Sequence, residues 1–282
     1  MDWLNDGLYM VRDVGFGRDF TPKLWVSIAA LVMVVTDVRR NKRLDYVWVF
    51  VIGTVIWAAA EALLSIQGTR AMPDRVLFDR PIPMGLSLLL QGTGEAAFVA
   101  ILGLYVGDRW LTRGRRMHSV VVMAIVCVLV TAATVRGALA RAGAPEVASR
   151  RDLLAPGSLL ALGALALIAI AFYVARAPWR PRVLAMSWAM LIFSTIWTIG
   201  QVATGGRWVE TRVGEAFVAA SPGAQFAGLA FDVIVEIVLA YVPFLAIPVL
   251  RGFDPQSSAL AFLRACRRLN PLPGRGVRGH RP

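Results

Sequence analysis

Histidine, cysteine and lysine are almost missing from this 282-residue chain, at two residues each. His118 and His280 are too few and too far apart for the clustered imidazoles of a di-iron, zinc or haem site. Cys127 falls inside an apolar run and Cys266 in the polar C-terminal stretch, so neither a disulfide framework nor a thiolate metal site is called for. No Walker, Gly-rich nucleotide or kinase-type motif occurs, and no cofactor or metal is expected. The first 22 residues carry Asp2, Asp6, Asp13 and Asp19 in place of a basic stretch followed by an apolar run, so no cleavable signal peptide is expected. Acids are scarce too, at 18 against 30 Lys and Arg, which leaves a net charge of +12.

Apolar side chains fill the space. They make up 57% of the chain, charged ones only 17%, and the mean hydropathy is +0.61, values that describe a polytopic membrane protein and no soluble domain of this size. Runs long enough to cross ~30 Å of hydrocarbon, about 20 residues each, lie near 20–38, 46–66, 84–106, 118–139, 156–176, 183–203 and 224–250. The fold class is therefore an all-α membrane protein of seven transmembrane helices. The first span is short and needs Lys23 and Asp37 to snorkel at its ends. Basic residues sort by side: the connections after spans 1, 3 and 5 and the C-terminal tail hold 18 Lys or Arg against four acids, Asp37, Asp45, Asp108 and Asp254. The other side holds 11 against ten. The excess of Lys and Arg puts the N-terminus outside and the C-terminus in the cytoplasm. Basicity here reports topology and attraction to anionic lipid at the cytoplasmic face, with no nucleic-acid partner implied.

The chain also aligns with itself. Residues 40–61 meet 180–201 at a constant offset of 140, pairing Arg40, Leu44, Trp48, Ile52, Ile56 and Trp57 with Arg180, Leu184, Trp188, Ile192, Ile196 and Trp197. Lys42 meets Arg182, Thr54 meets Ser194 and Glu61 meets Gln201; with one residue inserted, Gln91 and Glu95 meet Asp232 and Glu236. A tandem repeat follows as an expectation: an external arm (1–22), a first three-helix unit (23–110), a linker helix (111–145), a second unit (146–251), and a cytoplasmic amphipathic helix with a disordered tail (252–282). This is a parallel 3+1+3 plan about an axis along the membrane normal. Leu8, Met10 and Val11 of the arm are expected along the outer interface or in an unstructured tail, and Trp25, Trp110, Trp179 and Trp208 in aromatic belts. Gly103 and Gly107 form a GxxxG suited to close helix packing.

Four carboxylates lie inside spans: Glu61, Glu95, Asp232 and Glu236. Each costs about 2.5–3.5 kcal/mol at a helix centre on insertion scales, so their number points to a site between the repeats. Gln91 and Gln201 can complete its hydrogen bonds, Trp57 and Trp197 can wall a cation or planar substrate, and Arg136, the one cation well within a span, can pair with an acid or snorkel. Glu95 and Glu236 are placed near mid-membrane, flooring a cavity open to the outside. Asp232 and Glu236 resemble, in spacing and helix count only, the acid and retinal-bearing Lys of microbial rhodopsins. Glu236 cannot form a Schiff base, so no retinal function is implied.

The leading expectation is a proton- or cation-linked small-molecule transporter or channel in a bacterial cytoplasmic membrane. The alternatives are an intramembrane acid-catalysing enzyme on a lipid or isoprenoid, and a structural or assembly subunit whose acids pair with other chains or with a second copy of itself.

Overall fold

Proline and hydropathy mark out the helices before any packing is considered. Pro22, Pro156, Pro181 and Pro222 sit in first turns, where the missing N–H is one that the helix could not use. The computed structural model describes residues 7–13, 18–66, 74–139 and 146–250, apart from the side chains at 236, 249 and 250. Seven helices are long and apolar enough to cross a membrane: α1 (Thr21–Asn41), α2 (Asp45–Ile66), α3 (Met84–Leu111), α4 (Arg116–Leu139), α5 (Pro156–Ala175), α6 (Ala177–Ala203) and α7 (Pro222–Pro248). Their positions match the seven expected runs. Two helices are irregular inside: α3 winds as a π-helix over Gly92–Ala97, and α7 does so over Asp232–Leu239 before a 3₁₀ turn at Val242–Leu245.

Small residues decide what sits in the middle. A Cβ on Gly107 would lie 3.0 Å from the Met186 backbone nitrogen, and one on Gly92 only 2.4 Å from the Thr54 carbonyl oxygen. The α3 backbone therefore touches α6 on one side and α2 on the other, as the GxxxG anticipates. Around it Tyr46, Ile101, Leu104, Met186, Met190 and Leu245 are fully enclosed. The opposite extreme is α5, whose Leu160 is 79% exposed, a helix left for lipid tails to cover.

The polar connections form a second layer that the sequence reading did not anticipate. Strands β1 (Leu8–Asp13), β4 (Val147–Asp152), β5 (Arg207–Val213) and β6 (Ala216–Ala219) build an antiparallel sheet in the order β4-β1-β5-β6, while β2 (Val76–Leu77) and β3 (Arg80–Pro81) make a small hairpin. Before α1, after α4 and after α6, the chain is thus on one face of the helix layer. Leu8 and Met10 do not lie along a membrane interface; with Val209, Leu153 and Ala224 they form a separate apolar core under the first turns of α7. Residues of one β1 face are apolar at Leu8 and Met10 and basic at Arg12, so the same strand seals the core and delivers a charge. The interface placement of the other Trp residues also needs correcting. Trp25 and Trp110 are exposed, but Trp179 is buried against Phe172, and Trp208 donates from Nε1 to Glu210 at 2.9 Å within the sheet. The amphipathic helix expected over 256–269 and the tail lie outside the described residues.

Gly107→Val should lower the thermal midpoint of the detergent-purified protein by several degrees, because its neighbour is backbone and cannot yield. Gly163→Ala on α5, where nothing lies within 4 Å, should leave it unchanged or raise it. Equal losses in a thermal melt of the two variants would show that close packing at α3 is not the constraint.

Candidate functional site

Three of the four intramembrane acids are enclosed by cations of this chain. Glu95, on the π segment of α3, is met by Lys23 Nζ at 2.8 Å and by Arg12 of β1 at 3.8 Å. Lys23 also donates to the Gln91 side chain one turn earlier. Asp232, the first residue of the π segment of α7, pairs with Arg207 of β5 and, at 3.5 Å, with Arg151 of β4. Glu61, near the end of α2, accepts from Arg75 at 2.7 Å, and Arg75 in turn donates to Ser87 at 2.8 Å.

These pairs join into one band. Phe20 lies between Lys23 and Arg75, each cation 4.4 Å from its ring centroid, which links the Glu61 pair to the Glu95 group. Strand register makes the other link: Arg12 stands directly opposite Arg207 across β1 and β5, like charges that repel unless acids lie beside them. Glu95 and Asp232 lie beside them. Burial lowers the Arg207 guanidinium while Asp232 pulls it back up, and with Arg12 and Arg151 nearby it comes to about 10, still ionised at neutral pH. Its Nε has no hydrogen-bond partner among the described residues.

A second network closes the opposite end of the bundle. Arg182, at the start of α6 and 4% exposed, donates to Asp108 at 2.7 and 2.8 Å and to Asp45 at 2.8 Å. Tyr46 donates to Asp108 at 2.8 Å, and Arg43, from the turn between α1 and α2, reaches both acids. Burial works against the charge on Arg43, but Asp45 and Asp108 outweigh it and hold the guanidinium above its ordinary value. Two acids and two guanidiniums therefore tie α2, α3 and α6 together. Beside them Asp37 is 1% exposed and bonded by Asn41, with its Oδ2 unpartnered among the described residues.

Measured against expectation, Glu61, Glu95, Asp232 and Gln91 fall within the sheet-side band. Lys23 and Asp37 do not snorkel; both turn inward to polar partners. Glu95 is the twelfth of the 28 residues of α3, near the middle of a helix about 42 Å long. Arg12 of β1 reaches it there, and Arg207 of β5 and Arg151 of β4 reach Asp232, the eleventh residue of α7. Trp57 of α2 stacks on Tyr241 of α7, with centroids 5.4 Å apart, while Trp197 lies tilted against Phe193 one turn away on its own helix, centroids 5.6 Å apart. Gln201 is buried outside the band, its Oε1 unpartnered among the described residues. Arg136 pairs with no acid among the described residues; it is exposed on α4. The side chain of Glu236 lies outside the described residues.

Sequence reasoning missed Arg12, Arg75, Arg151 and Arg207, together with the whole Arg43, Asp45, Asp108 and Arg182 network. One signal for the sheet was present: Gly214 and Glu215 separate the β-prone runs RWVETRV and AFVA, and Gly214 takes φ +63 in that two-residue turn. Another was the shortage of acids on the basic side, where Asp37 and Asp45 are buried and Asp108 is half-buried. Comparison with protein-family models, curated proteins and solved structures returned no match.

Removing one partner of a buried pair should cost more than removing both. Glu61→Gln leaves Arg75 with Ser87 and the Phe20 ring, and unfolding in an SDS titration followed by circular dichroism should register a loss of about 3–5 kcal/mol. Glu61→Leu combined with Arg75→Leu should recover most of that loss. A double variant as unstable as the single one would mean that the pair itself, and no stranded charge, sets the stability.

Proposed function

We propose that this integral membrane protein is a proton- or cation-linked small-molecule transporter in which the two ion networks act as gates at opposite ends. The observation that carries the reading is that both networks join the two halves of the expected repeat. Arg182 of the second half holds Asp45 and Asp108 of the first; at the other end β1 of the arm carries Arg12 to Glu95 of the first half and pairs along its length with β5 of the second, whose Arg207 holds Asp232. Opening the Arg182 end therefore requires ion pairs between the halves to part, and opening the sheet end requires the Arg12–Glu95 pair or the β1–β5 pairing to part.

Internal symmetry supports a rocking motion. Under the repeat, α2 corresponds to α6 and α3 to α7, and the contacts exchange accordingly: α3 packs on α6 as α2 packs on α7, α2 on α3 as α6 on α7, and α1 on α3 as α5 on α7. Under the expected repeat the two π segments correspond: Gly92–Ala97 of α3 carries Glu95, and Asp232–Leu239 of α7 carries its counterpart Glu236, with Asp232, the counterpart of Gln91, at its start. A π turn widens the helix and is found mostly at functional positions, because it holds a side chain off the regular register.

The chemistry needs only an exchange of partners. A proton on Glu95 or Asp232, or a charged substrate group taking its place, releases Lys23, Arg12 or Arg207 and weakens the sheet-side gate. N-terminus outside, this would be the outer gate, and the Arg182 network the cytoplasmic one. The competing readings fare less well on specific grounds. A subunit role leads us to expect acids facing lipid, whereas the described ones are enclosed by cations of their own chain. An acid-catalysing enzyme needs an acid in a lipid-accessible pocket; the lipid-facing groove between α4 and α6 holds none.

Reciprocal accessibility tests the gates. In a background of Cys127→Ser and Cys266→Ser, Ser27→Cys reports on the sheet side, beside Thr93, and Ala189→Cys on the other side, about two turns inward from Arg182. Glu95→Gln should raise labelling of position 27 by a membrane-impermeant maleimide and protect position 189, Arg182→Gln should do the reverse, and proteoliposomes of the unlabelled protein should show pH-driven flux that both substitutions abolish. Parallel gains at both positions without flux would reveal mere loosening and end the transport reading.

A further inference from the structure

Arg136 is a charge without a counter-ion. It stands three residues from the sheet-side end of α4, exposed, and forms no hydrogen bond or ion pair with the described residues. From it a groove of about 710 Å3 runs along α4, lined by Cys127, Val128, Thr131, Ala132 and Val135 and by Ile196 of α6. Its surroundings are membrane-facing: Leu129 is 63% and Leu139 81% exposed.

We propose that this groove is a binding site for one anionic glycerophospholipid, with an acyl chain along the groove and the phosphate on Arg136. Three observations commit it to that occupant. Length is the first. From Arg136 to Cys127 is nine residues, about 13.5 Å of helix, close to half of a ~30 Å hydrocarbon layer. The groove thus runs from headgroup level to near the bilayer centre, the course of a single chain in one leaflet.

Polarity is the second. The only other polar group on the groove wall is the Thr131 hydroxyl; Thr134, next to it on the helix, is buried and donates to the Val130 carbonyl at 2.8 Å. Ala132 leaves the space between its larger neighbours. Everything below Arg136 therefore suits hydrocarbon.

Charge is the third. A guanidinium matches a phosphate with two parallel hydrogen bonds, and an anionic headgroup, unlike a zwitterionic one, brings no amine of its own to compete. A neutral isoprenoid would leave Arg136 unpaired. A second copy of this chain would bring no free helix acid to the groove, since each described helix acid is already enclosed by polar partners in its own chain. This site is independent of the transport reading and stands or falls without it.

The test uses the full chain with Cys266→Ser, leaving Cys127 as a thiol at the inner end of the groove. Native mass spectrometry from nanodiscs of mixed phosphatidylglycerol and phosphatidylcholine should retain one phosphatidylglycerol per chain. Arg136→Gln should reduce the preference for that lipid roughly tenfold, the scale of one charge-assisted hydrogen bond. Ala132→Phe, a substitution on a lipid-facing wall that folding should tolerate, should abolish retention of either lipid. In parallel, phosphatidylglycerol should slow reaction of Cys127 with an apolar maleimide in the parent protein and in neither variant. Equal retention of both lipids by the parent, or a preference surviving both variants, would reduce the groove to ordinary bilayer contact and overturn the assignment. So would a dimer in lipid-depleted detergent that Arg136→Gln dissolves.

Discussion

A charge placed where water is scarce must be given a partner by the fold, and nearly every unusual feature of this molecule answers that demand. Glu95 and Asp232 sit on helices whose neighbours are apolar, so their counter-ions have to come from elsewhere. The sheet brings most of them. Arg12, Arg151 and Arg207 arrive on three different strands, and the register that sets Arg12 opposite Arg207 would be unfavourable without the two acids beneath it. Sheet and acids are mutually dependent: the strands position the cations, and the acids relieve the repulsion between the strands.

That dependence explains what could be read from the residues in order along the chain and what could not. Helices announce themselves locally, through runs of apolar side chains and first-turn prolines, so all seven were legible to within a few residues. The acids were legible as well, because an Asp or Glu inside such a run is conspicuous by cost alone. Their partners were not. Arg151 and Arg207 look like ordinary loop charges, and only the pairing of their strands with β1, about 140 and 200 residues away in sequence, gives them direction. Lys23 misled for the same reason: at a helix end the default is to snorkel, and a tertiary contact with Glu95 overrode it. Arg182 was counted as a topological charge because nothing near it in sequence reveals that Asp45 and Asp108 converge on it.

Packing in the middle follows a different rule. Between the two networks α3 meets α2 and α6 through glycine and alanine, with backbone-to-backbone approaches that tolerate no added methyl. Van der Waals contact, and not burial from water, holds helices together in lipid, so close approach is where that cohesion is greatest. The π segment of α3 begins inside this tight region, at Gly92, and carries Glu95. Close packing and irregular backbone therefore meet at the level of the sheet-side acids.

The two ends also differ in how they can open. At the turn side the central cation, Arg182, is fixed to α6 and shares its acids with Arg43, so separating that network requires α6 to move against α2 and α3 at their closest contact. At the sheet side three of the five cations are carried on strands, which can shift as a layer over the first turns of α7 while the helices stay packed. Under the transport proposal the sheet-side gate is therefore the compliant one, able to open by displacement of the sheet, and the Arg182 gate the stiff one, which opens only with the two halves. The order of events follows from that inequality: partner exchange at Glu95 and Asp232 comes first, and rotation of the halves comes after it.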